Sequence, residues 1–209
     1  SLGEVAGLHV DYLLWWAQSG LMNSAYWFRS CNNSSQEYQP TVIGLWPGGT
    51  TVLQEHWSWI ATQCGQGRTV FVLNCSGVGP HEPYAIYGKP AHSFFGIIHK
   101  LTDDLLWLDD SLAALRIYEL MRSVDLLVSL QNQLEGTVEL SAVGLFQIYA
   151  VLASILDKRI VHLTSETAIT SISEELFGPF FVEENVMSVV LPDILKYLDL
   201  TEWKGSLSI

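Results

Sequence analysis

The sequence predicts an α/β fold, because short β-type runs alternate with helical stretches along the chain. Three observations carry this. Two compact apolar runs, residues 41–46 and 69–73, each close on a glycine-containing turn, Pro47-Gly48-Gly49 and Asn74-Cys75-Ser76-Gly77-Val78-Gly79. Leu105, Leu108, Leu112, Leu115, Leu120, Val124 and Leu127 recur at helical spacing. Residues 137–156 read as strand, tight turn, helix.

In chain order, 8–16 and 25–29 read as two strands around a turn at Ser19-Gly20, and 31–40 as a polar loop. The buried run 41–46 is a strand, 52–64 a helix stopped by Gly65 and Gly67, and 69–73 a second buried strand. Residues 80–91 hold Pro80, Pro83 and Pro90 and are expected to be irregular. Residues 101–130 form one long helix or two with a break. Asp103 and Asp104 sit near its start, where a helix dipole favours carboxylates. Gly136 ends the next connection. A strand over 137–140, a helix over 145–156 and a strand over 159–164 follow. Residues 186–198 read as helical, kinked or divided by Pro192, and 206–209 begin a further strand.

The 209 residues fit one domain. With 49% hydrophobic and only 15% charged residues, the chain is not intrinsically disordered. Its net charge of −12 repels a phosphate backbone, so nucleic acid is not an expected partner. Three cysteines, Cys31, Cys64 and Cys75, cannot pair completely. No signal peptide opens the chain and no apolar run reaches the roughly 18 residues of a membrane span, so no membrane partner is expected. Its start at Ser1-Leu2-Gly3, without Met, suggests a processed or excised piece and leaves the compartment open.

The order and spacing of the three turns resembles the α/β-hydrolase superfamily, in particular its acetyl-xylan-esterase-like and dienelactone-hydrolase-like members. The resemblance runs from about residue 5 to the end of the chain. It implies a three-layer αβα sandwich with a mostly parallel central sheet, incomplete at its C-terminal end. It also implies roles for the turns. The family's first turn is usually His-Gly-Gly and helps form the oxyanion hole, which places Gly48 and Gly49 there, with Pro47 in place of His and offering no N–H. The second turn usually reads Asp-x-Arg-Gly-x-Gly, and Asn74-Cys75-Ser76-Gly77 lacks that Asp–Arg pair, putting its scaffolding in doubt. The third is the nucleophile elbow Gly-x-Ser-x-Gly. The strand Val138-Glu139-Leu140-Ser141 and the segment Leu156-Asp157-Lys158-Arg159-Ile160 bracket it without a gap. The elbow then falls on Ala142-Val143-Gly144-Leu145-Phe146, with Gly144 at the serine position. Glycine tolerates φ > 0 and keeps the turn while removing the nucleophile.

Ser141 is the alternative nucleophile. A register centred on it would put Glu139 and Val143 at positions that normally hold small residues. His162 is the one histidine after Gly144, and it falls inside a strand. Asp193 and Asp199 read as solvated or capping residues. The family's acid and histidine would be expected beyond Ile209.

Other constellations have plainer readings. His81, Glu82, His92 and His99 match no metal-ligand spacing, so no metal is expected. Cys75 reads as a buried thiol. Gly77-x-Gly79 is not followed directly by a helix, so it is no dinucleotide fingerprint, and no cofactor is expected. The Trp residues, notably Trp15-Trp16, Trp46, Trp57 and Trp59, invite sugar stacking, but Trp57 and Trp59 sit in a helix expected to pack on the sheet. The expectation is a degenerate, carbohydrate-esterase-like scaffold or binding module whose ligand is a carbohydrate or acyl ester. The alternative is a working esterase using Ser141. An uncovered sheet edge implies self-association or a missing segment.

Overall fold

In the computed structural model, residues 1–31, 39–85, 88–131, 137–165, 169, 171–177, 186–200 and 207–208 are described. Strands β1 (Gly3–Val5), β2 (Leu8–Gln18), β3 (Leu21–Ser30), β4 (Thr41–Leu45), β5 (Thr69–Asn74), β6 (Val138–Ala142), β7 (Ile160–Ser165) and β8 (Leu207–Ser208) form one open eight-stranded sheet. Its order is β1-β2-β3-β5-β4-β6-β7-β8. The β1–β2, β2–β3 and β3–β5 pairs are antiparallel, while the β5–β4, β4–β6, β6–β7 and β7–β8 pairs are parallel.

The continuous apolar runs behave as strands covered on both faces should. Every residue of β4 and β5 is buried. On one face Val42, Val70, Val72 and Phe28 pack with Ile60 and Cys64 of helix α1 (Trp57–Gly65). On the other, Ile43, Leu45, Phe71, Leu140 and Ala142 pack with helices α3 (Leu112–Leu130) and α4 (Phe146–Leu156). The result is the expected three-layer αβα sandwich. Trp57 meets Phe28 edge-on and Trp46 meets Trp59, so these tryptophans serve the core.

Several boundaries depart from the sequence expectation. Strand β1 was not anticipated. The helix expected over 52–64 begins at Trp57, because Gly49–Val52 turns as a 3-10 segment first. The 101–130 stretch is two helices, α2 (Ile97–Trp107) and α3, divided at Asp109 with φ +61. Helix α2 starts at Gly96, which has no side-chain cap, so its start leaves no signal. Asp103 and Asp104 are therefore mid-helix, where they face His99 and Lys100 one turn back. Residues 186–198 are not a kinked helix. They form two 3-10 segments, Val186–Val189 and Ile194–Lys196, separated by Pro192 and the left-handed Asp193. Residues 32–38 of the 31–40 loop, and Gly136, lie outside the described residues.

Candidate functional site

The turns predicted to carry chemistry all lie at the C-terminal end of the parallel strands. After β4 the chain turns through Gly48 (φ +78) and Gly49 (φ +50). A Cβ on Gly49 would meet Asn74 Oδ1 at 2.4 Å, so both conformation and space demand glycine there. Trp46 Nε1 donates to Gly49 O at 2.9 Å, and the Gly49 N–H donates to Trp46 O at 3.1 Å. The next N–H, of Thr50, goes to Asn74 Oδ1 at 2.8 Å. Of the two predicted oxyanion donors, Gly49 is thus already used inside the turn, while the Gly48 N–H has no acceptor among the described residues.

The turn after β5 is held by buried side chains. Asn74 Nδ2 donates to Ser24 Oγ at 2.9 Å, and Ser24 Oγ lies 2.8 Å from His81 Nε2. Burial pushes the His81 pKa down, which favours the neutral ring able to accept the Ser24 hydroxyl proton. The turn carries no Asp or Arg of its own, yet its geometry is not left loose. Helix α3 brings two charged side chains to it, Arg116 and Glu119, one turn apart. Glu119 accepts from Ser76 N at 2.8 Å and Ser76 Oγ at 2.5 Å. Arg116 Nε donates to Ser76 O at 3.0 Å, and its Nη1 donates to Tyr149 Oη at 2.9 Å. Tyr149 donates onward to Ser188 O at 2.9 Å. Burial raises the Glu119 pKa, and the Ser76 bonds and the Arg116 charge pull back without cancelling it. Burial likewise pushes the Cys75 thiol far up, as an inert core thiol requires.

Sequence reasoning missed Arg116 and Glu119, although a signal existed. Both fall on the helical stripe of Leu112, Leu120 and Leu127, where an apolar residue is expected.

Between β6 and α4 the chain passes through Val143, Gly144 and Leu145. The Val143 N–H donates to Leu45 O at 2.9 Å, continuing the sheet by one residue. Gly144 has φ +57, and its carbonyl accepts the Gln147 N–H at 3.0 Å as α4 begins. A Cβ built on Gly144 meets nothing within 4 Å. Ser141 lies inside β6, paired with Gly44 of β4 and Thr164 of β7. Its neighbours Leu140 and Ala142 are fully buried on the α3–α4 face, so Ser141 projects to the opposite face, with Glu139. His162 pairs with Glu139, whereas Ala142 pairs with Ser165. His162 therefore sits three residues, about 10 Å, down the strand from the level where the turn begins. The structure puts Ser141 and His162 on one sheet face and brings neither to the turn.

The remaining candidates have structural roles. Asp199 accepts from Ile172 N (2.7 Å), Leu200 N (2.7 Å), Ser171 Oγ (2.9 Å) and Ser173 Oγ (2.9 Å), anchoring helix α5 (Ile172–Phe177). Asp193 pairs with Lys196 at 2.7 Å. His92 lies 3.7 Å from Glu82, and His99 3.5 Å from Asp103. Among the described residues no three His, Cys, Asp or Glu side chains converge as a metal site would require, and no helix is long and apolar enough to cross a membrane. A groove of about 660 Å³ runs between Phe94 and the 186–196 segment, walled by Val186, Val190 and Leu191.

Strand order, the antiparallel β2–β3 hairpin and the strand–turn–helix at residues 138–156 define the α/β-hydrolase fold. Solved structures agree. A candidate acetyl xylan esterase from Bacteroides fragilis superposes with a TM-score of 0.75 at 10% identity, covering 92% of this chain and 55% of its own. Acetyl xylan esterase 1 from Thermoanaerobacterium gives 0.59 at 16% identity, covering 90% and 63%. A cold-adapted esterase from an Arctic intertidal metagenomic library gives 0.58 at 13%, covering 81% and 64%. The chain thus spans about half to two-thirds of the length of these structures. No family model and no curated protein matches the sequence.

Proposed function

We propose that the chain is a carbohydrate-esterase-related α/β-hydrolase domain that serves as a scaffold or binding module and does not act as a serine hydrolase. One observation carries this reading. The left-handed residue between β6 and α4, which this reading takes as the nucleophile position, is Gly144, which has no side chain. Two further observations support it. The Gly49 N–H is spent within its own turn, and His162 lies well down β7. A fold can be retained without its usual chemistry, because chemistry resides in the site and not in the scaffold. The groove beside Phe94 offers an apolar surface for an acyl-bearing ligand.

The test is hydrolysis of p-nitrophenyl acetate together with labelling by a fluorophosphonate probe, both on the full chain. The expected result is no burst and no adduct. A burst with an adduct mapped to Ser141 overturns the proposal in favour of an active esterase.

A further inference from the structure

The β1–β2 side of the sheet carries an edge that no other strand covers among the described residues. Strand β1 pairs only with Leu8, His9 and Val10 of β2, so the longer half of β2 has no neighbour on its outer side among the described residues. The Val10 carbonyl accepts the Leu2 N–H at 2.9 Å on that outer side. Alternate residues of a strand send their backbone groups the same way, so Tyr12, Leu14 and Trp16 direct theirs outward. The edge ends at a bulge between Trp16 and Gln18, where Tyr118 Oη donates to Ala17 O at 3.2 Å.

The side chains of the same residues are exposed. Tyr12 is 36%, Leu14 55% and Trp16 65% exposed, and Met22, opposite Trp16 on β3, is 43% exposed. Folded proteins ordinarily guard such edges with lysine, proline or other charges, because an open apolar strand recruits another. Here no charged residue occurs from Tyr12 to Phe28, in a chain whose net charge is −12. Two copies of so acidic a chain repel over most of their surfaces, and this ribbon is where they can approach without opposing like charges.

We propose that two copies of the chain pair antiparallel through β2 about a twofold axis at Leu14, joining two eight-stranded sheets into one. The pairing is self-complementary. Leu14 meets Leu14 of the second copy, and Tyr12 meets Trp16 in two symmetric cross-strand pairs of a kind that stabilises antiparallel sheets. The outward N–H and C=O groups of all three residues then find partners.

Sedimentation velocity on the full chain over a range of concentrations tests this, and a concentration-dependent dimer is expected. Leu14→Lys should abolish the dimer while leaving far-UV circular dichroism and the unfolding midpoint unchanged. A second variant, Leu14→Cys in a Cys31→Ser background, supplies a readout that does not depend on losing the dimer. Facing residues of an antiparallel pair lie about 5.5 Å apart at Cα, within disulfide reach, so oxidation should give a covalent dimer. A monomer at every concentration, a dimer that survives Leu14→Lys, or a Leu14→Cys dimer that fails to cross-link on oxidation would each overturn the proposal.

Discussion

The turns after β5 and after β6 flank the turn after β4 at one end of the sheet and are built in opposite ways. The Asn74–Gly79 turn is tied by side chains from two other elements: Ser24 of β3, and Arg116 and Glu119 of α3. The Val143–Leu145 turn is held by backbone bonds, and its glycine has open space where a side chain would project. One turn concentrates buried polar chemistry and the other has none. In a working hydrolase the second turn would hold the reactive group, and rigid neighbours would position what surrounds it. Here the side-chain ties gather on the turn after β5, while the turn after β6 has none among the described residues.

The sharpest way to break this comparison is to remove one member of the α3 pair. Glu119→Ala strips the Ser76 N–H and hydroxyl of their acceptor and leaves Arg116 a buried cation without its compensating carboxylate. Leaving two part-buried donors without their acceptor costs about 1–3 kcal/mol each. Urea unfolding should therefore show a large fall in midpoint with an unchanged slope. A loss below about 1 kcal/mol, the scale of a surface ion pair, would mean that α3 does not hold the turn.

Next come two glycines with the same hand of backbone and different surroundings. Gly49→Ala forces a methyl group to within 2.4 Å of Asn74 Oδ1 as well as into a left-handed conformation. Displacing the Asn74 amide should bring the cost to about 2–4 kcal/mol. Gly144→Ala meets the conformational penalty alone, about 1–2 kcal/mol, because its Cβ enters open space. The ordering matters more than either value. If Gly144→Ala costs as much as Gly49→Ala, the turn after β6 is more crowded than its geometry indicates.

Much of this framework is legible in the sequence, for a physical reason. Buried parallel strands must be continuously apolar, so residues 41–46 and 69–73 declare themselves, and a turn that needs positive φ is marked by glycine at 48, 49 and 144. What escaped notice depends on tertiary partners. Arg116 and Glu119 are ordinary helix formers, and only their burial under the β5 turn gives them a role. The start of α2 escaped because Gly96 provides no capping side chain, and the carboxylates at 103 and 104 took its place as an apparent signal. Residues 186–198 read as a helix because their apolar spacing survives in two short 3-10 segments, although Asp193 turns left-handed between them.

The smallest expected effect asks whether carboxylates after β7 are also spent on structure, as Glu119 is. Burial works to raise the Asp199 pKa, but the Ile172 N–H, the Ser171 and Ser173 hydroxyls and the Leu200 N–H outweigh it and hold the group below its ordinary 3.8. A depressed pKa means that the folded state binds this proton less readily than the unfolded chain. Its stabilisation is therefore complete above 3.8 and is lost as pH falls below that value through the folded-state pKa. Asp199→Asn should cost about 1 kcal/mol at neutral pH, the scale of a helix N-terminal cap. The gap between wild type and variant should narrow as the pH is lowered below 3.8 and through the folded-state pKa. Urea midpoints measured across that range decide the matter. A gap that stays constant into acid would show that the hydrogen-bonding shape of the side chain, and not its charge, is what anchors α5.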